Sequence, residues 1–139
     1  IHIVFILHWL IRQKKMKIIK LKNNFKDIRG SITDIFYNKN FKHVSLITSK
    51  KNIIRGNNYF RNNAQYIYNL SSDFEYTYKK FDSKKKPKKV IVKKGGVIIT
   101  PPKEAHAIKF KTNNKLLEFS TFTFKQKKKM NDSIKFKLI

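Results

Sequence analysis

Arg55-Gly56-Asn57-Asn58-Tyr59-Phe60, then Gln65-Tyr66-Ile67-Tyr68-Asn69-Leu70, and later Thr100-Pro101-Pro102-Lys103-Glu104-Ala105-His106, are the segments whose reading decides the fold. The middle segment is rich in tyrosine and isoleucine, which suit a pleated strand. Side chains alternate faces along a strand, so Asn58 and Phe60 share one face, as do Gln65, Ile67 and Asn69. Pro101 and Pro102 cannot donate a ladder hydrogen bond, so they end the strand before them. Outward from these segments the same texture continues, and strands are predicted over 17–21, 31–37, 43–49, 52–56, 65–70, 74–80, 89–92, 97–100, 105–110 and 115–124. None of these intervals carries a 3.6-residue apolar stripe of helical length. Closely spaced strands without intervening helices predict an all-β antiparallel sandwich or barrel.

The joints between strands have readable chemistry. Ser71-Ser72-Asp73 predicts a tight hairpin. Gly95 permits a positive φ just before Val97-Ile98-Ile99. The run Asp82-Ser-Lys-Lys-Lys-Pro-Lys-Lys89 reads as a solvated loop whose like charges repel. Residues 125–133 read as a mobile linker, and the alternating Ile134-Lys-Phe-Lys-Leu-Ile139 as an edge strand for this chain or for a partner. There is no repeat of solenoid period.

A chain of 139 residues suffices for one domain with a single core. It has no cysteine, which excludes disulfides and thiolate chemistry. The net charge of +25 raises nucleic acid or an anionic membrane as partner. However, only Arg12, Arg29, Arg55 and Arg61 are arginine, and arginine is the residue suited to bidentate phosphate and guanine contacts. Lys, Asn, Ile and Phe share A/T-rich codons, so genome composition accounts for the charge, and no specific nucleic-acid partner is expected. Residues 1–11 are apolar but far short of the roughly 20 needed to span a bilayer, so no stable membrane insertion is expected. Residues 1–15 read as an extraneous or flexible segment ahead of Met16. A packed first element, or the end of a membrane anchor, are the other readings. The domain is placed at 16–124 and a basic tail at 125–139.

The order Phe25-Lys-Asp-Ile-Arg29-Gly30, His43-Val-Ser-Leu-Ile-Thr-Ser49, Arg55-Gly56, Gln65-Tyr66, Leu70-Ser71, Gly95, Thr100-Pro101-Pro102 and Glu104-Ala105-His106 resembles small cupins of sugar-nucleotide metabolism. The resemblance is to dTDP-4-dehydrorhamnose 3,5-epimerases and dTDP-sugar 3,4-ketoisomerases, and it covers roughly 25–122. It implies a double-stranded β-helix jelly-roll barrel, a homodimer, and a ligand site in the barrel mouth near both Arg-Gly pairs. The chain departs from the pattern where such proteins commonly carry two histidines, since Asn58 and Phe60 stand there. Ser72 and Gly96 replace a turn glycine and an aspartate, and Asn69 replaces an apolar residue.

Those departures bear on chemistry. One imidazole, His106, and the amides of Asn58 and Gln65 make a poor ligand set for Zn, Fe or Mn, so neither metal nor other cofactor is expected. Asn58 cannot accept a proton, which leaves His106 as the candidate base and a tyrosine as donor. His106 can equally be a packed core histidine, and His43 reads as structural. Arg29 and Arg55 are the candidates to hold phosphate, the alternative being turn arginines paired with Asp27 or Glu104. The expected substrate-binding set is Arg29, Arg55, Asn58, Phe60, Gln65, Tyr66 and His106. The chain therefore reads as a small cytoplasmic cupin that binds an activated sugar or related carbohydrate, with its catalytic and metal positions substituted. The alternatives are an active 4-keto-sugar-nucleotide isomerase or epimerase using His106, and a non-enzymatic basic interaction protein.

Overall fold

From His43 to Ser120 the chain is one long antiparallel hairpin, folded repeatedly across two facing sheets. The structure is a computed structural model and describes residues 15–139. Eight strands make this hairpin: β4 (His43–Ser49), β5 (Ile54–Phe60), β6 (Gln65–Asn69), β7 (Phe74–Lys80), β8 (Lys88–Val92), β9 (Gly96–Thr100), β10 (Glu104–Lys109) and β11 (Asn114–Ser120). They pair in nested fashion, β7 with β8, β6 with β9, β5 with β10 and β4 with β11. Every connection except the β7–β8 turn crosses to the other sheet. This is the double-stranded β-helix jelly roll, built as an open sandwich of two five-stranded sheets.

Three short strands precede the hairpin and a C-terminal segment follows it. β1 (Lys17–Lys20) extends the first sheet, giving the order β1-β9-β6-β11-β4. β2 (Phe25–Asp27) and β3 (Gly30–Ile32) form a separate two-stranded ribbon. After β11 come the helix α1 (Phe124–Lys129) and β12 (Ser133–Lys135), which completes the second sheet as β12-β5-β10-β7-β8.

Alternation of side chains fills the space between the sheets. Ile67, Ile98 and Leu116 come from the first sheet, and Phe74, Tyr76, Val92 and Ile108 from the second; Phe110 joins them from beyond β10. Burying each large apolar side chain contributes roughly 1.5–3 kcal/mol before chain entropy is set against it.

Several expectations are corrected. Ser71-Ser72-Asp73 is an arch between sheets rather than a hairpin, because β6 pairs with β9 and β11 while β7 pairs with β10 and β8. Buried amides hold this arch: Asn69 Nδ2 donates to Ser72 O (2.7 Å) and Val92 O (3.2 Å), and Asn114 Nδ2 donates to Ser72 O (2.8 Å). The strand expected over 31–37 is only Gly30–Ile32. The strand expected over 52–56 runs instead from Ile54 to Phe60, because β10 and β12 pair along its two edges and override the weak strand preference of asparagine. The strand expected over 115–124 stops at Ser120. The linker expected over 125–133 is largely α1, which starts in a reciprocal capping box between Thr123 and Gln126. The readings of residues 1–14 lie outside the described residues.

Candidate functional site

Between the sheets, where β5 and β10 face β6 and β11, lies a cavity of ≈ 230 Å³. Arg55, Asn58 and Phe60 from β5, Gln65 from β6, His106 from β10 and Glu118 from β11 line it, with Ile47, Ile67, Ile108 and Leu116 supplying apolar wall. Three larger depressions, of ≈ 820, ≈ 640 and ≈ 330 Å³, lie nearer the surface and have lysines in their linings. The smaller cavity is the candidate site, because buried polar groups converge on it.

His106 is 3% exposed, and its ring stacks on Tyr76 at 5.9 Å and 10°. Nδ1 lies 3.1 Å from the Glu104 carbonyl oxygen. A carbonyl can only accept, so Nδ1 carries the proton and Nε2 is the ring's acceptor in the neutral form. Burial holds the imidazole below its ordinary pKa, with the carbonyl contact opposing that shift. Asn58 Nδ2 donates to Ser133 Oγ of β12 at 2.7 Å. Asn58 Oδ1 and Gln65 Oε1 are buried without a partner in the protein. The polar groups so placed are mainly acceptors, which suit hydroxyl groups on a ligand.

Gly56 shapes this wall. Its φ is +87°, and a Cβ there would lie 2.7 Å from the His106 carbonyl oxygen. The close approach that glycine permits is therefore of β5 to β10, at the register shift between His106 and Ala107.

Two expected site residues lie elsewhere. Arg29 sits in the β2–β3 turn with an 80% exposed side chain, and its guanidinium grips Asp27, with Nη2 2.6 Å and Nε 2.9 Å from Oδ2. Its local pairing with Asp27 is the alternative that the sequence left open. Tyr66 points to the outer face of β6, as strand alternation demands, and packs edge-on against Phe36 and Phe41. Arg55 does reach the cavity, but Nε donates to Ser49 Oγ (2.8 Å) and Nη2 to Thr48 O (3.0 Å), which ties β5 to β4 across the sheets.

Two charged residues were missed. Glu118 lines the cavity, and Lys127 Nζ from α1 lies 3.8 Å from its Oε1 and 5.7 Å from the Phe60 ring centroid. Glu118 was legible in principle, since it is in phase with the inward Leu116. Lys127 was not, being one lysine in a run of them.

The donor set does not fit a transition metal. Among the described residues no group of three or more His, Cys, Asp or Glu side chains is placed to hold one. In the cavity the single imidazole has Nδ1 engaged, and the Phe60 ring stands on the same face as Asn58, where a further ligand would be needed.

Comparison with known proteins fits this architecture. Neither a protein-family model nor a curated protein sequence matches the chain. Among solved structures, a 3,4-ketoisomerase from Helicobacter canadensis superimposes with a TM-score of 0.72 at 17% identity, covering 87% of this chain and 90% of that one. The sugar 3,4-ketoisomerase QdtA from Thermoanaerobacterium thermosaccharolyticum, in complex with TDP, gives 0.68 at 20% identity, with 86% and 87% covered. The 3,5-epimerase RmlC from Legionella pneumophila, in complex with dTDP-4-keto-L-rhamnose, gives 0.67 at 15% identity, with 86% and 71% covered. The chain has the cupin-type jelly-roll fold that these sugar-nucleotide ketoisomerases and epimerases share.

Proposed function

We propose that this protein binds a nucleotide-activated sugar, with the sugar in the cavity between the sheets. Asn58, Gln65 and His106 accept hydrogen bonds from its hydroxyls, Phe60 forms the wall, and Arg55 offers its remaining donors to a phosphate. The supporting observation is the pair of buried acceptors, Asn58 Oδ1 and Gln65 Oε1, with no partner in the protein. Each unsatisfied group costs about 1–3 kcal/mol, which ligand hydroxyls would recover. Solved structures of the same fold carry TDP or a dTDP-sugar, which favours that ligand class. The homodimer and the cytoplasmic setting belong to the same reading. Among the described residues no helix is long and apolar enough to cross a membrane.

Calorimetric titration with dTDP- and UDP-hexoses tests the proposal. Saturable binding is expected, and Gln65→Leu should weaken it by about tenfold, equivalent to about 1.4 kcal/mol. A flat titration with every sugar nucleotide, or an affinity unchanged in Gln65→Leu, removes this reading.

A further inference from the structure

We infer that Glu118 and Lys127 form an acid–base pair at the cavity, able to move a proton beside the ketone of a bound keto sugar. This rests on the nucleotide-sugar reading above and supplies the base that Asn58 cannot be.

The geometry comes from two elements. In β11, Glu118 lies between Ile67 of β6 and Ser45 of β4 in register, and its side chain, 16% exposed, lines the cavity beside Gln65 and His106. Lys127 comes from α1 and stands beside this lining, its ammonium near Glu118 and over the Phe60 ring. Of the four lysines in this helix it alone is not exposed, its side chain being 13% exposed. Its backbone is pinned on both sides, N donating to Thr123 O (3.0 Å) and O accepting from Asp132 N (3.0 Å). The Asp132 carboxylate in turn accepts from Asn62 N and Asn63 N in the β5–β6 turn.

At 3.8 Å the two charged groups attract without sharing a hydrogen bond. Each therefore keeps its bonding capacity for a ligand. Phe60, at the position where a second imidazole was expected, offers the face of its ring to the ammonium.

The chemistry balances without a co-reactant. A Glu118 oxygen takes the proton from the carbon next to the ketone. The C–H electron pair becomes the C=C bond, and the carbonyl π pair moves to oxygen. The Lys127 ammonium hydrogen-bonds the resulting enolate. Return of a proton to the same carbon, or to the former carbonyl carbon after transfer between the two oxygens, restores a ketone, and the sugar is isomerised with no net oxidation. Carboxylates serve as bases of this kind when a donor holds the developing oxyanion.

The test uses the full chain and dTDP-4-keto-6-deoxyglucose in deuterated buffer. Deuterium uptake beside the ketone is followed by NMR, and affinity is measured on the same preparation. Uptake is expected in the wild type. Glu118→Gln should slow it by about 100-fold or more with affinity within about threefold, and Lys127→Met should slow it by about 100-fold. Should Glu118→Gln fail to fold, the Lys127→Met result decides. A bound sugar without uptake, or uptake that survives both substitutions, overturns the inference and leaves the binding reading intact. Absence of binding overturns the binding reading itself.

Discussion

At the scale of single residues, the cavity shows how one imidazole can be buried without a counterion. His106 is enclosed by Tyr76, Phe60 and the Glu104 carbonyl, so its neutral form is favoured and its pKa lies below the ordinary 6.5. Above that value both folded and unfolded imidazoles are neutral, and no cost arises. As pH falls through 6.5 the unfolded chain takes up a proton that the folded chain refuses, so stability is lost until the folded pKa is passed. Glu104 acts with the opposite sign, since burial raises its carboxyl pKa and Lys80 and Lys88 only partly oppose that. The two are separated by comparing variants: denaturation measured from pH 7 to pH 5 should lose less stability in His106→Asn than in the wild type. Equal slopes in the two proteins would show that His106 titrates normally. The sequence singled out His106 correctly as a polar group inside the sheets, but its partner is a backbone carbonyl two residues away, which no side-chain pattern reveals.

Among the elements, the C-terminal segment matters most to the site. α1 alone is too short to be stable in water, and its charged side chains gain little from helix formation. What holds it is Asp132, fully buried, whose Oδ1 accepts from Asn62 N (2.7 Å) and whose Oδ2 accepts from Asn63 N (3.1 Å). Asn57 adds a second anchor, its Oδ1 accepting from Leu138 N and Ile139 N. Asp132→Ala would leave two turn N–H groups unpaired, with an expected loss of about 3 kcal/mol in chemical denaturation. It should also raise protease cleavage after the lysines of α1, as the segment detaches from β5. A loss within about 0.5 kcal/mol, with unaltered cleavage, would show that the latch is unimportant. The lysine run read as a linker because local composition reports charge, whereas the anchoring turn lies 70 residues away along the chain and is brought into contact only by the fold.

For the whole molecule, an apolar row runs across all five strands of the first sheet on the side away from the core; Val97 within it is already buried, and the row opens toward its two edges. Ile19, Val97, Tyr68, Leu117 and Leu46 are successive cross-strand neighbours. At the far edge Leu46 and Val44 are 60% and 53% exposed. The proposed homodimer would cover this face with a second copy. Sedimentation should then report about twice the 16.6 kDa chain mass, and Leu46→Glu should shift the protein toward a monomer. A wild-type monomer at tens of micromolar would remove the homodimer from the proposal. A second row on this side, Ile99, Tyr66, Phe119 and Val44, runs parallel to it, which the sequence signalled only as alternation.

The residues by themselves determined an all-β antiparallel fold and the shared faces of Asn58 with Phe60 and of Gln65 with Ile67, because alternation is a local property; the jelly roll came from the family resemblance. Only the tertiary structure decided that Arg29 closes on Asp27, that Tyr66 faces outward, that Ser71–Asp73 crosses between sheets, and that Lys127 meets Glu118 over Phe60. Those outcomes depend on which strand lies beside which, and pairing between distant segments is set by the shared core rather than by any one stretch of chain.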